Sequence, residues 1–223
     1  DLKVHDKVWT GVNNEGFHVY QEVYAFGHWQ EDKPMKYIQL YHSNASAPLE
    51  ISPNHLIFLA TEISSPIRAD AVSVGDELSI NKNGGNGVVS VVVRIETITR
   101  VGAYLPLTAG GTIVVNNIKA SSYVSIHHEA PEIIDWFNAF GISEHFLFHW
   151  WLAPYRVLCT KVAPEWCMND YNEEGIIYWL AFGQWLAKVG DQMPALMKCI
   201  GLALFFAFIG FMACLEFLFG ILM

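Results

Sequence analysis

Residues 199–223 carry a single charge, Glu216, in a run of 25. As a helix rising about 1.5 Å per residue, that run exceeds the ~30 Å hydrocarbon thickness of a bilayer. It predicts a C-terminal transmembrane helix, with a buried hairpin helix as the alternative. Lys198 flanks the start, and one lysine is too little to orient the span. Glu216 is costly in lipid unless it is paired or close to an interface, and its place near the end of the run sets it beside the far headgroups.

The chain before it changes character near residue 125. Residues 126–198 hold six of the eight tryptophans, Trp136, Trp150, Trp151, Trp166, Trp179 and Trp185. Aromatic enrichment beside an apolar span marks a membrane interface. Residues 176–189 read as one amphipathic helix, too short and interrupted to span. Residues 1–125 instead hold short β-branched runs at 19–26, 37–41, 55–60, 88–98 and 112–118. Turn signals separate them: Asn13-Asn14-Glu15-Gly16, the Gly/Asn-rich 81–87 and Ala109-Gly110-Gly111. That pattern predicts an all-β body. Three regions follow: a β domain over 1–125, a helical interfacial region over 126–198 and a transmembrane helix over 199–223.

With 13 basic against 22 acidic residues and a net charge of −9, the chain has no Lys/Arg-rich run to serve as a phosphate footprint, which argues against nucleic-acid binding. The 52% apolar content argues against a disordered chain. Cys159 and Cys167 either bridge in an oxidising compartment or stay as buried thiols. Asn44-Ala45-Ser46 is a glycosylation sequon, a slight pointer to secretory entry.

A short internal repeat lies in the β region. Leu2-Lys3-Val4-His5-Asp6-Lys7-Val8 parallels Val72-Ser73-Val74-Gly75-Asp76-Glu77-Leu78, and each copy leads into a loop and a long strand. Two related β units with pseudo-two-fold symmetry are expected.

Chemistry concentrates at Ser52-Pro53-Asn54-His55, which opens an apolar strand. Pro53 fixes a turn that lets Ser52 and His55 face one cavity. Such a pair can polarise a carbonyl and move a proton. The plainer alternative is that Ser52 caps the turn and His55 is a satisfied core residue. Glu144, His145 and His149, with His127, His128 and Glu129, have the residue types of a zinc site, but the order is not His-Glu-x-x-His, and histidines beside Trp and Phe more often pack. Tyr155 and Arg156 read as a helix break and interface anchor, and residues 169–174 as a solvated acidic loop or a weak calcium candidate. No Gly-rich phosphate loop and no Gly-x-Ser-x-Gly elbow is present. No metal and no cofactor is expected.

Ser52-Pro53-Asn54-His55 followed by an apolar strand resembles the Thr-x-x-His block of Hint domains, the hedgehog and intein self-processing fold. Other segments match in collinear order. Residues 1–8 resemble the first Gly-Asp segment, 21–26 the strand after it, and 72–76 the second Gly-Asp turn. Residues 102–108, 111–115 and 120–123 resemble the closing segment of the hedgehog type, and 150–156 the region beyond the Hint core. The resemblance covers residues 1 to about 160 and implies a mainly β, pseudo-two-fold Hint domain followed by a helical membrane-associated region.

The resemblance also implies a mechanism. An opening cysteine attacks the preceding carbonyl, an N-to-S shift gives a thioester, and a second nucleophile releases the upstream segment of the precursor. In hedgehog proteins that nucleophile is a sterol hydroxyl. On this reading the partners are membrane lipid, a sterol acceptor among them, and the upstream segment. His55 assists loss of the amide nitrogen and Ser52, standing for the family's Thr, orients the amide. His28 stands where hedgehog proteins carry an Asp that activates the sterol, and a histidine can act as a base there or mark a different nucleophile. The cysteine is expected roughly twenty residues before Asp1, so the chain alone is expected to be inert. Ser122 replaces a frequent Cys, and His5 replaces a turn Gly. With no terminal His-Asn block, cleavage is expected rather than splicing. A single-pass membrane protein of the secretory pathway is expected. The alternative is a processing-dead Hint fold serving as a membrane-tethered interaction module.

Overall fold

A computed structural model describes residues 2–13, 15–43, 47–60, 65–79, 89–168 and 170–219. The sequon at 44–46 and the whole Gly/Asn-rich run at 81–87 lie outside the described residues. The chain divides into two compact units, Asp1–Ser125 and Ile126–Met223.

The first unit is all β: β1 (Lys7–Val12), β2 (His18–His42), β3 (Leu49–Ile51), β4 (His55–Ile57), β5 (Ile67–Arg68), β6 (Glu77–Ser79), β7 (Val89–Thr108), β8 (Thr112–Val115) and β9 (Ile118–Val124). One sheet runs β1-β2-β7-β6, with β3 also paired to β2, and a second runs β5-β4-β9-β8. The runs expected at 19–26 and 37–41 are one strand of 25 residues, because β2 stays paired to β7 from Val23↔Thr108 to His42↔Val92 through four register shifts. Bulges let a long ribbon bend without ending. The run expected at 112–118 is instead broken into a hairpin. Asn116 and Asn117 take φ of 50° and 68°, the two left-handed residues of a primed turn.

The core follows strand alternation. Ile38 and Leu40 of β2 face Ile51 and Leu49 of β3, and join Ile57, Leu78, Val92 and Ile118.

The sequence repeat is a structural one. Asp6 Oδ2 accepts the Lys3 N–H at 2.7 Å, and Asp76 Oδ2 accepts the Ser73 N–H at 2.9 Å. The His5 N–H donates to Val23 O and the Gly75 N–H to Val92 O, both at 2.8 Å. Val23 and Val92 donate back to the Asp6 and Asp76 carbonyls, both at 2.9 Å. Each turn needs one left-handed residue, which is His5 at φ 74° in one copy and Gly75 at φ 101° in the other.

The second unit holds α1 (Pro131–Ala139), α2 (Glu144–Trp151), α3 (Ala153–Val157), α4 (Tyr178–Asp191) and α5 (Ala195–Phe219). Pro131 opens α1, Gly141 follows its end at φ 75°, and the Ser143 hydroxyl caps α2 by accepting the Phe146 N–H. Trp151 and Trp179 stack, and each indole N–H donates to the other's backbone carbonyl. Cys159 and Cys167 form a disulfide. Residues 195–212 of α5 have a mean hydropathy of 2.1, so the helix is long and apolar enough to cross a membrane. It starts at Ala195, just after Pro194, so Lys198 lies within its first turn rather than flanking it. There Lys198 Nζ pairs with Glu132 at 3.0 Å.

The two Asp turns set a stability test. Nothing lies within 4 Å of a Cβ built on Gly75, so Gly75→Ala isolates the left-handed strain and should cost about 1 kcal/mol. His5→Gly should stabilise by up to about 1 kcal/mol, since it removes the same strain. Urea unfolding followed by fluorescence of Trp9 and Trp29 reads both, and an equal sign for the two variants would contradict the repeat.

Candidate functional site

Ser52 and His55 sit at the two ends of one tight turn. The His55 N–H donates to Ser52 O at 3.0 Å, so the turn is closed by the backbone. Two further backbone bonds clamp the turn from outside. Pro53 O accepts the Asp70 N–H at 2.9 Å, and Asn54 O accepts the Ser125 N–H at 2.7 Å. Pro53, Asn54 and the β3 and β4 strands on either side therefore hold Ser52 and His55 in fixed relation.

The half-buried His55 ring is fixed by a third bond. Its Nε2 donates to Ser121 O on β9 at 2.8 Å. Nε2 is the ring nitrogen held by this bond, which leaves Nδ1 as the one for chemistry. Burial pushes the imidazole below its ordinary pKa, partly offset by the bond to Ser121. The ring is therefore neutral at neutral pH, with a lone pair on Nδ1.

Beside this carbonyl lies a buried hydroxyl pair. Thr108 Oγ1 donates to Thr112 O at 2.8 Å and lies 3.3 Å from Ser122 Oγ. Ser121 and Ser122 are both buried. His28 sits on the other sheet, at a β2 bulge where Gly27 and His28 together face Leu105. Bulges commonly re-aim a side chain near a site. Phe26 and Trp29 meet edge to face on either side of it, and Trp29 meets Tyr104 likewise.

The zinc types do not gather. Glu144 accepts the Ile126 N–H, His127 pairs with Asp135, and His145 stacks on His149. Among the described residues no group of three His, Cys, Asp or Glu is placed to hold a metal.

The Hint module family profile matches residues 1–193. The chain belongs to the Hint family. This Hint chain is 30% identical to the protein hedgehog of Drosophila virilis over 163 residues, covering 72% of the chain and 30% of that protein. To the hedgehog protein of Drosophila hydei it is 31% identical, with the same coverage of both. The chain thus spans about a third of the length of these curated relatives. Among solved structures, the DnaX mini intein of Spirulina platensis aligns with a TM-score of 0.40 and 16% identity, covering 54% of the chain and 88% of the intein.

Sequence reading pointed to Ser52, His55 and His28 but not to Ser121, which acts through its backbone carbonyl and so leaves no mark in the side-chain pattern. The clamps at Asp70 and Ser125 are backbone bonds as well.

A second buried histidine sets the pH test. His42 is buried, with Nδ1 2.8 Å from Ser90 Oγ, and burial lowers its pKa too. For both rings the folded pKa lies below the unfolded one. The unfolded chain therefore binds more protons below about pH 6.5. Stability contributed by the neutral rings is complete above that pH and falls as acid approaches the folded pKa values. His55→Gln and His42→Gln should each flatten part of that fall, read by urea midpoints from pH 7.5 to 4.5.

Proposed function

We propose that the chain is the self-processing part of a longer hedgehog-like precursor, and that the Ser52–His55 turn carries out the acyl shift that releases the upstream segment. The observation that carries this reading is the His55 ring, anchored through Nε2 and open at Nδ1, at the end of a turn clamped on both sides.

A cysteine thiol preceding the β unit attacks the carbonyl before it. The S–C bond forms, His55 Nδ1 takes the thiol proton, and the C–N bond breaks as Nδ1 returns that proton to the departing amine nitrogen. The Ser52 hydroxyl orients the scissile amide. A hydroxyl nucleophile then attacks the thioester, losing its proton to His28, and the thiolate leaves and is reprotonated. The upstream segment departs as an ester, or as an acid if water attacks.

The helical unit supports a lipid acceptor. A cavity of about 310 Å³ is lined by apolar side chains including Ile133, Phe137, Leu147, Trp151 and Phe205. Gly183 allows Trp151 to lie against α4, since a Cβ there would meet its indole nitrogen at 2.6 Å. A cavity of this size and lining suits a sterol-class or other lipid alcohol. Helix α5 crosses the bilayer and the surrounding tryptophans lie at its surface. The disulfide fits an oxidising, secretory compartment. The processing-dead alternative gains nothing, since both turn residues are assembled.

The test is the precursor expressed in membranes. Wild type should divide in two near the start of the β unit, and hydroxylamine should speed release by capturing the thioester. His55→Ala should slow cleavage by about 10²- to 10⁴-fold, and Ser52→Thr should cleave where Ser52→Ala is slow. His28→Ala should abolish a lipid mass adduct on the released segment while hydrolysis persists. An intact wild-type precursor would sink the reading.

A further inference from the structure

Arg156 on α3 is only 4% exposed. Its Nε and Nη1 are fully buried and have no hydrogen-bond partner among the described residues. An arginine does not shed its proton in a protein, so the charge stays. A buried cation without a counter-charge is strongly unfavourable, and a complementary anion is what relieves it.

Several acids of the helical unit are engaged with other groups. Glu129 and Glu132 pair with Lys188 and Lys198, and Asp135 pairs with His127. Glu144 and Asp191 accept backbone N–H groups, from Ile126 and Ile133.

What does face Arg156 is another basic group. His149 lies within its field, and His145 stacks on His149 with ring centroids 6.3 Å apart. Leu152, at φ −81° and ψ −5°, is the single residue that joins α2 to α3. His145 and His149 lie one turn apart on α2, and Arg156 follows on α3. Burial and the charges of Arg156 and His145 push His149 down to about 3. Arg156 therefore brings donors, positive charge and low solvent access, with Nε and Nη1 unpartnered among the described residues.

We propose that Arg156 anchors an oxyanion site in the helical unit, where its planar fork takes a phosphate group in two parallel hydrogen bonds with His149 beside it. The phosphate comes either from a phospholipid headgroup or from free phosphate, and both present the same oxygens. The site is independent of the Ser52–His55 turn and of the proposed self-cleavage.

The full chain in nonionic, phosphate-free detergent tests it. Thermal unfolding is followed with inorganic phosphate, with chloride at equal ionic strength, with phosphatidylcholine micelles, and with micelles of a neutral, phosphate-free glycolipid. A rise in Tm of several degrees with inorganic phosphate and not chloride supports the site and identifies free phosphate as a source. A rise confined to phosphatidylcholine over the glycolipid supports it with a headgroup as the source. Arg156→Met should lose either response, and Arg156→Lys, which keeps charge without the fork, should lose most of it. In case Arg156→Met does not fold, the imidazole resonances of His149 in the wild type give a second reading, because a bound phosphate raises its pKa from about 3. No Tm response with an unmoved His149 titration overturns the proposal, and so does an Arg156→Met chain that responds as the wild type does.

Discussion

The β2–β7 ladder is the constraint on which the β unit depends. Two strands of 25 and 20 residues remain paired over almost their whole lengths. Three of the four register shifts offset the pairing by one residue, which turns the side chains that follow, and the one between Gln30 and Pro34 offsets it by two. That is how one ribbon presents Ile38 and Leu40 to the core while placing His28 at the bulge that separates Phe26 from Trp29 in the chain. The shorter strands attach at its edges through the same device used twice, an aspartate accepting a backbone N–H three residues back with one left-handed residue between. The two halves resemble each other because the same turn solves the same problem at each edge.

From that frame the Ser52–His55 turn inherits its rigidity. Its carbonyls are held by Asp70 and Ser125, and its imidazole by Ser121. All three restraints come from backbone groups of structured segments, so the geometry does not wait for a substrate to form it. Preorganisation of this kind avoids reorganisation during the reaction.

What the sequence showed and what it hid divide along a physical line. The repeat was legible because the turn demands a carboxylate at Asp6 and Asp76, a side-chain requirement. The Ser52–His55 pair was legible for the same reason. The hairpin at Asn116–Asn117 also had a signal, two adjacent asparagines between β-branched residues, yet the apolar flanks read as one run. Ser121 gave none, because any residue supplies a carbonyl. Arg156 read as an interface anchor because its burial comes from tertiary packing, which spacing does not encode. The length of β2 was hidden too. Bulges interrupt alternation, so a single strand read as two.

The protonation of His55 constrains how the proposed acyl shift proceeds. With Nε2–H committed to Ser121 O and the ring neutral, Nδ1 can accept a proton and has none to give. A departing amine needs one. The proton must therefore reach Nδ1 from the attacking thiol before the C–N bond breaks. A free thiol giving its proton to an imidazole that burial holds below its ordinary pKa is an uphill transfer. In the proposed reaction that step is favourable only while the S–C bond forms, so His55 acts there as a base in the transition state rather than as a source of free thiolate. The same depressed pKa then makes the imidazolium a stronger acid than a solvated one, so it yields its proton readily to the amide nitrogen. Burial that weakens His55 as a base strengthens it as an acid, and breaking an amide is limited by the second of these tasks.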